Sequence, residues 1–308
     1  MSIFRQNFLD LQSVIKDTLQ QAFVIDAGVG MSIHNERARL IRNGLAVMVF
    51  TSLEAFIRAR VIETLRQIDN NRVAYATLPE KLRYQLSFGA INGIHHQAKR
   101  VKASDAIAII QAEASMLGSL NMSNAYGVSE FVFGKDKSNI SADDISQLLS
   151  GLGVKSDIWN EVGAICRRIN VGSIGSWVER FKQLANERHK AAHLSSHQVP
   201  NTNLHDHVMS AFAIAAAFDI FMSIAVRQLN AGKDVVANPI ANSGVGIVFV
   251  YPKSSSTVEW GVKREHGQRA SRIVADRANA YLAANSLTGV SDCVVELDAS
   301  SSPVAWKV

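Results

Sequence analysis

Residues 178–197 read VERFKQLANERHKAAHLSSH, an apolar-patterned half followed by a polar half rich in basic side chains. Its first half has the pattern of an amphipathic helix, because apolar residues such as Phe181 and Leu184 recur at helical spacing and would face a core. Its second half turns polar, and Arg188 and His193 lie five positions apart. A permanent guanidinium binds phosphate and an imidazole transfers protons near neutral pH, so this helix end is the candidate functional site.

The composition narrows the class of protein. The chain has 308 residues, of which 47% are hydrophobic, enough for a sizeable core in one large or two modest domains. A net charge of +5 suits an anionic partner such as RNA, but many proteins without such a partner share it. The two cysteines have no motif around them, which fits a reducing compartment.

The chain is also predicted to be cytoplasmic and to have no membrane partner. The opening residues, MSIFRQNFLDLQ, form a mixed amphipathic start and not a signal peptide. No apolar run approaches the roughly 18 consecutive residues of a membrane span. The most apolar helix, Leu204–Leu229, contains Asp219 and is better explained as a buried helix.

Helical periodicity predicts a mainly α fold. Phe4–Phe23 is predicted as an amphipathic helix, and a second helix from about His34 to Asp69 would be about 50 Å long. Ser141 and Ser176 are predicted to cap later helices, the second of which carries the candidate site. A helical bundle can use the long second helix as its central post.

The composition changes near residue 232, and the chain becomes strand-like. We therefore predict a helical domain over residues 1–232, with an insertion around residues 75–154, and a small α+β domain over residues 236–308 whose role is unknown. The predicted order of the second domain is β-β-α-β-β, with strands at Gly246–Tyr251, Thr257–Lys263, Asp292–Leu297 and Val304–Val308 and a helix at His266–Ala284.

Three segments of the helical part resemble the HEPN superfamily, and more narrowly its RiboL-PSP type and related bacterial proteins. Residues 42–56 are similar to the long second helix of the family, with Glu54 as its acidic residue after an apolar run. Residues 145–154, ISQLLSGLGV, resemble the short helix that ends in a glycine turn. Residues 186–193, NERHKAAH, resemble the family signature, an arginine followed a few residues later by a histidine.

This resemblance implies a HEPN-like helical bundle with metal-independent endoribonuclease activity and no cofactor, in a toxin or anti-phage defence role. The 2′-hydroxyl of RNA would attack the adjacent phosphate and leave a 2′,3′-cyclic phosphate. His193 fits the proton-transfer role and Arg188 the phosphate-binding role, while His189 and Glu54 would orient them. Positions five apart lie about 140° apart on a helix, so the resemblance implies a homodimer in which two copies of the motif face each other.

Besides a second copy of the chain, two kinds of partner are expected, RNA and another protein. RNA contacts are predicted for Arg37 and Arg42 from the charge at the start of the second helix, which is also typical of a solvated face, and for Asn186 and Lys190 within the signature. An antitoxin or another defence-system protein is the expected protein partner. Ser195 occupies the position where HEPN toxins paired with nucleotidyltransferase antitoxins often carry a tyrosine, which argues against that particular pairing.

Several alternatives remain open at this point. His189, His193 and His197 repeat every four residues, so one helical face would present three imidazoles to a metal. Cations at a helix end also interact favourably with its dipole without any further function. Glu54 has Arg58 as an ion-pair partner four residues on. At the level of the whole protein, the alternatives are a non-catalytic HEPN module that binds RNA or a protein, and a structural scaffold.

Overall fold

The structure is a computed structural model in which the chain forms a helical bundle joined to a mixed sheet. This arrangement confirms the predicted mainly α fold with a small C-terminal α+β part. The structure describes residues 2–68, 72–121, 126–135, 139–169, 171, 175–253, 258–267 and 270–308.

In the described part of the chain, the helices of the bundle come first and the strands of the sheet follow, with α10 between β3 and β4. The helices are α1 Ile3–Thr18, α2 Ser32–Leu65, α3 Glu80–Tyr84, α4 Ala90–Ala98, α5 Ala103–Ser119, α6 Ala142–Gly151, α7 Ile158–Arg168, α8 Trp177–His193, α9 Asn201–Asn230 and α10 Arg277–Asn285. A π-helical turn, Gln85–Gly89, joins α3 to α4. The strands are β1 Gly246–Pro252, β2 Trp260–Arg264, β3 Arg272–Val274, β4 Asp292–Leu297 and β5 Pro303–Lys307.

Helices α2 and α9 form the centre of the bundle. Asp219 lies in the middle of α9, is fully buried, and is bound by Arg5 of α1 at 2.7 Å and by Arg60 of α2 at 2.8 Å. Paired in this way, a buried carboxylate is retained as a charge, since an isolated one would be very costly. Among the described residues, α9 is long and apolar enough to cross a membrane by length and composition, and 94% of its most apolar window is buried inside the protein.

The sheet has the strand order β3-β2-β1-β4-β5 and lies between the bundle and α10. β1 and β4 are parallel, and the chain between them contains β2, β3 and α10. The other neighbouring strands are antiparallel. Residues of β1 alternate between the two faces, because side chains of a strand point to opposite sides. Ile247 and Phe249 join the core of the bundle, and Val248 and Val250 pack with α10.

Trp306 of β5 ties the sheet to the bundle. Its side chain is fully buried, and its ring centroid lies 5.9 Å from that of Phe56 and 5.1 Å from that of Phe212. Its indole nitrogen donates a hydrogen bond to Asp219 at 2.8 Å. The C-terminal part and the helical part therefore share one apolar core and one buried polar cluster.

The predicted helix at His266–Ala284 was wrong in its first half. Arg272–Val274 forms a third strand instead, in which Ile273 pairs with Gly261 of β2. The helix begins at Arg277 because the side chain of Asp276 accepts a hydrogen bond from the backbone N–H of Asn279 at 2.8 Å and caps it. The observed order in the described part of the chain is β-β-β-α-β-β.

Candidate active site at the end of helix α8

Helix α8 forms as its sequence predicts. The hydroxyl of Ser176 accepts a hydrogen bond from the backbone N–H of Glu179 and caps the first turn. Phe181 and Leu184 are buried, and the ring of Phe181 lies 5.5 Å from that of Phe50 on α2. These contacts fix the apolar face of α8 against α2, so the polar residues that follow reach the surface at a defined orientation.

The segment after α8 is anchored to the N-terminal half of α2. The helix ends at His193. The guanidinium of Arg39 donates to the carbonyl groups of Ser195 at 2.5 Å and His197 at 3.0 Å, and the amide of Asn43 donates to the carbonyl of His197 at 2.9 Å. Three backbone contacts therefore hold the chain immediately beyond the candidate site.

His197 also binds back to α8 through its side chain. Its Nε2 lies 3.1 Å from a carboxylate oxygen of Glu187, and both side chains are largely buried. Because α8 ends at His193, His197 does not share a helical face with His189 and His193, which removes the geometry of the three-histidine alternative. Within the described ranges, no group of three histidine, cysteine or acidic residues is placed to hold a metal ion.

Arg188 is the cation of the candidate site, and part of its guanidinium is unpaired. Its Nε atom is buried and has no hydrogen-bond partner among the described residues. By contrast, Arg39 and Arg60 on α2 are bonded to carboxylates. An unpaired buried donor costs about 1–3 kcal/mol. Because the Nε atom is also inaccessible to solvent, an acceptor oxygen of a ligand would reach it only after the Arg188 side chain moves.

Glu54 of α2 lies close to Arg188. Only 7% of the residue is exposed, and its carboxylate accepts a hydrogen bond from the backbone N–H of Ile140 at 2.6 Å. Burial raises the pKa of Glu54, while that hydrogen bond and the charges of Arg58 and Arg188 act in the opposite direction. Arg58 lies 3.9 Å away, so two of the three partners considered from the sequence, Arg58 and Arg188 but not His193, act on this carboxyl group.

His189 and His193 lie side by side on the exposed surface of α8. Their ring centroids are 4.8 Å apart, as expected for positions four residues apart on one helical face. Asn186 is also exposed, and Lys190 is half-buried. The helix therefore presents its imidazoles to solvent, whereas Arg188 is half-buried. Since positions five apart lie about 140° apart around an ideal helix, one protomer is not expected to bring Arg188 and His193 squarely together.

The two arginines predicted to bind RNA from α2 have different positions. Arg37 is exposed. Arg42 is only 3% exposed, and its guanidinium donates to the carbonyl groups of Val24 at 2.7 Å and Val199 at 2.9 Å and pairs with Asp26 at 3.0 Å. Arg42 thus joins three segments of the chain, and its guanidinium donors are engaged within the protein and not by RNA.

The residues that hold the segment after α8 in place were not predictable as such from the sequence. Arg39, Asn43 and the pair Glu187–His197 hold the segment after α8, and their only signal in the sequence is polarity within or beside helical segments. His207 of α9 is a further case, because it is buried and its environment lowers its pKa to about 4, mainly through loss of solvation and then through the charge of Arg180.

Comparison with known proteins identifies the family. The model of the family RiboL-PSP-HEPN matches residues 9–223, which contain α2, α8 and most of α9. The chain therefore belongs to this HEPN family. HEPN domains include ribonucleases and RNA-binding modules. No match was found among curated proteins or among solved structures.

Proposed function

We propose that this protein is a metal-independent HEPN endoribonuclease with a toxin or anti-phage defence role in the cytoplasm. The observation that carries the proposal is Arg188, whose Nε atom has no hydrogen-bond partner among the described residues and whose charge acts on Glu54, on the same helix as the exposed imidazole of His193. A fixed cation and a titratable imidazole are the two groups that phosphodiester transfer within RNA requires.

In the proposed reaction, the 2′-oxygen forms a bond to the adjacent phosphorus and the bond from phosphorus to the 5′-oxygen breaks. The proton of the 2′-hydroxyl is removed by one basic group, and the leaving 5′-oxygen receives a proton from an acid. His193 carries out one of these two proton transfers and solvent water exchanges the other proton, so that one proton leaves the 2′-oxygen and one reaches the 5′-oxygen. Arg188 binds the phosphate oxygens as negative charge develops on them. His189 lies against His193 and orients it, and Glu54 orients Arg188.

RNA would lie along the exposed surface of α8. Asn186 and Lys190 lie there on either side of Arg188 in the sequence, and Arg37 adds a cation at the start of α2. Phosphate contacts of this kind position the RNA without reading its sequence, so they are expected to make binding sensitive to salt.

We further propose that the active form is a homodimer. Arg188 and His193 lie about 140° apart around their helix, so a complete site needs Arg188 of one copy near His193 of a second copy. Light scattering at micromolar concentration should therefore give about twice the 33.6 kDa mass of one chain. A clean monomer would contradict this part of the proposal.

A mixing experiment tests the shared site directly. Arg188→Ala and His193→Ala proteins, each inactive alone, are unfolded, mixed and refolded together. Mixed dimers would then contain one intact pair, and about a quarter of the wild-type activity should return when subunits pair at random. If activity does not return although mixed dimers form, the two residues do not act across a dimer interface.

The second candidate function is a non-catalytic HEPN module that binds RNA or a partner protein, such as an antitoxin or another defence component. If no dimer forms, Arg188 and His193 stay apart on the helix, and the non-catalytic module is then favoured over the ribonuclease. In that case Arg188 would still bind an anionic group, and substitution of His193 would have no effect on any reaction.

Cleavage of a labelled single-stranded RNA in the presence of EDTA distinguishes the two candidates. Arg188→Ala and His193→Ala should each reduce the rate strongly, by about 10²–10⁴-fold for the proton-transfer group. Arg188→Lys should restore little, because a point charge does not reproduce the forked donors. His266→Ala and Arg272→Ala change exposed basic side chains in the C-terminal part of the chain and are the matched controls. Circular dichroism checks that each variant is folded. Unchanged rates in both α8 variants would refute the ribonuclease proposal.

A further inference from the structure

A large cavity lies between the π-helical turn, one side of α6 and the first turn of α7. Its volume is about 980 Å³. Two aromatic rings, Tyr84 and Trp159, and three side-chain amides, Gln85, Asn92 and Gln147, line it. Aromatic rings and amides together are the groups with which proteins bind an unpaired nucleobase, by stacking and by hydrogen bonds to its edge.

The wall of this cavity is built by an unusual backbone feature. Gln85–Gly89 is a π-helical turn, a conformation found frequently at functional sites. A β-carbon at Gly89 would lie 2.7 Å from the carbonyl oxygen of Val132, so only glycine lets that segment pack across the turn. Val132 and Gly89 both line the cavity, which therefore depends on the π turn and on this close approach.

Both aromatic rings are supported by other aromatic rings. Tyr84 is 60% exposed and stacks on Phe88 with a centroid distance of 4.8 Å and an interplanar angle of 14°. Trp159 packs against Phe181 at 5.6 Å, and its indole nitrogen donates to the carbonyl of Ala142 at 3.3 Å. The supported rings form fixed platforms on which a flat ligand can stack.

Gln85 adds an unpaired acceptor to the cavity. Its Oε1 atom is buried and has no hydrogen-bond partner among the described residues. A buried acceptor without a partner is costly, and a rotation of the Gln85 side chain into the cavity would let an N–H donor of a ligand satisfy it. Every nucleobase has such a donor on the edge that forms base pairs, so the atom fits a base that is not paired with another strand.

The charges at the cavity disfavour a phosphate. Asp144 and Asp157 line it; Asp157 caps α7, and the carboxylate of Asp144 accepts a hydrogen bond from the backbone N–H of Ser141, the N-cap of α6. Lys81, also in the lining, donates to the hydroxyl of Ser150 at 3.0 Å. Carboxylates repel a phosphate but tolerate a neutral ring, so the favoured occupant is the base of a nucleotide whose phosphates stay outside.

We propose that this cavity binds one unpaired nucleobase of a single-stranded RNA whose backbone reaches the end of α8. The inference rests on the proposed ribonuclease function. Two contacts connect the cavity with that site: Trp159 packs on Phe181, two helical turns before Arg188, and Gly134 in the lining accepts a hydrogen bond from Arg58, the neighbour of Glu54. The base would thereby set the position of the RNA relative to Arg188.

Binding is tested separately from cleavage with a fluorescent 2′-O-methylated single-stranded oligonucleotide, which has no attacking hydroxyl. Tyr84→Ala should weaken binding roughly 10-fold, as expected for loss of one stacking ring. Gln85→Leu should also weaken it, because Leu fills similar space and offers no acceptor. Phe23→Ala removes an equally exposed aromatic ring elsewhere and should leave binding unchanged.

Competition distinguishes a base site from an anion site. A free nucleoside should displace the oligonucleotide about as well as its 5′-monophosphate, and inorganic phosphate should not displace it at the same concentrations. Equal binding by Tyr84→Ala and wild type, or clearly stronger competition by the monophosphate than by the nucleoside, would overturn the inference. If wild type cleaves RNA but Tyr84→Ala binds normally, only this inference fails. If RNA is not cleaved at all, the proposed function fails.

Discussion

Replacement of Trp306 tests whether the sheet and the helical bundle form one cooperative unit. Loss of a fully buried tryptophan ring costs about 3–5 kcal/mol when it is truncated to alanine. The hydrogen bond to Asp219 is lost as well, although Arg5 and Arg60 continue to pair with that carboxylate. Since domains unfold with a total of about 5–15 kcal/mol, Trp306→Ala should remove a large part of the stability of the whole protein.

Two variants separate packing from hydrogen bonding. Trp306→Phe keeps an aromatic ring against Phe56 and Phe212 but has no donor for Asp219, so it should cost about 1.5–3 kcal/mol, the value of a hydrogen bond to a charged group. Urea unfolding followed by circular dichroism gives both free energies, and hydrogen exchange shows where protection is lost. Trp306→Ala should accelerate exchange in α9 as well as in β1. A loss below about 1 kcal/mol, or faster exchange confined to the sheet, would refute a shared core.

Three further predictions concern titratable groups around the site. Burial raises the pKa of Glu54, so its ionisation opposes folding as the pH rises through that pKa; Glu54→Gln, which keeps the acceptor for Ile140, should raise the melting temperature at pH 7 and lower RNA cleavage. The pKa of His207 is lowered to about 4, so the free energy of unfolding should fall by up to about 3 kcal/mol as the pH drops from 6.5 to 4, and His207→Leu should flatten this dependence in urea titrations at several pH values. His197→Ala should reduce cleavage less than His193→Ala, because His197 supports the chain after the helix; equal losses would contradict the assigned roles.

The sequence was sufficient to predict features determined by neighbouring residues. The cap at Ser176, the buried positions Phe181 and Leu184 and the mainly helical fold all follow from local periodicity and cap chemistry, and the structure contains each of them. The burial of α9 was also predictable, because Asp219 in an otherwise apolar helix favours a paired position inside a protein.

Other features depend on contacts between distant segments and had no local signal. Arg42 has the same appearance in the sequence as exposed Arg37, but Val24, Asp26 and Val199 surround its guanidinium. The short strand β3 exists because β2 offers it a free edge, which a scan of helical periodicity does not detect.

The site itself was only partly predictable. The motif identified Arg188 and His193. Arg188 was one of three partners considered for Glu54, beside His193 and Arg58. The unpaired Nε of Arg188 required coordinates, because the same sequence would permit a saturated ion pair. The role of His197 in holding the chain after α8 likewise depends on its contact with Glu187, ten residues earlier.

The most direct test of the central claim is the chemical identity of the ends that the protein leaves on RNA. Purified protein is incubated with single-stranded RNA in EDTA, and the products are analysed by mass spectrometry. The proposed mechanism predicts fragments that end in a 2′,3′-cyclic phosphate, with none produced by Arg188→Ala or His193→Ala. Products with a 3′-hydroxyl, or cleavage that requires added zinc or manganese, would contradict the assignment of the reaction to these two residues.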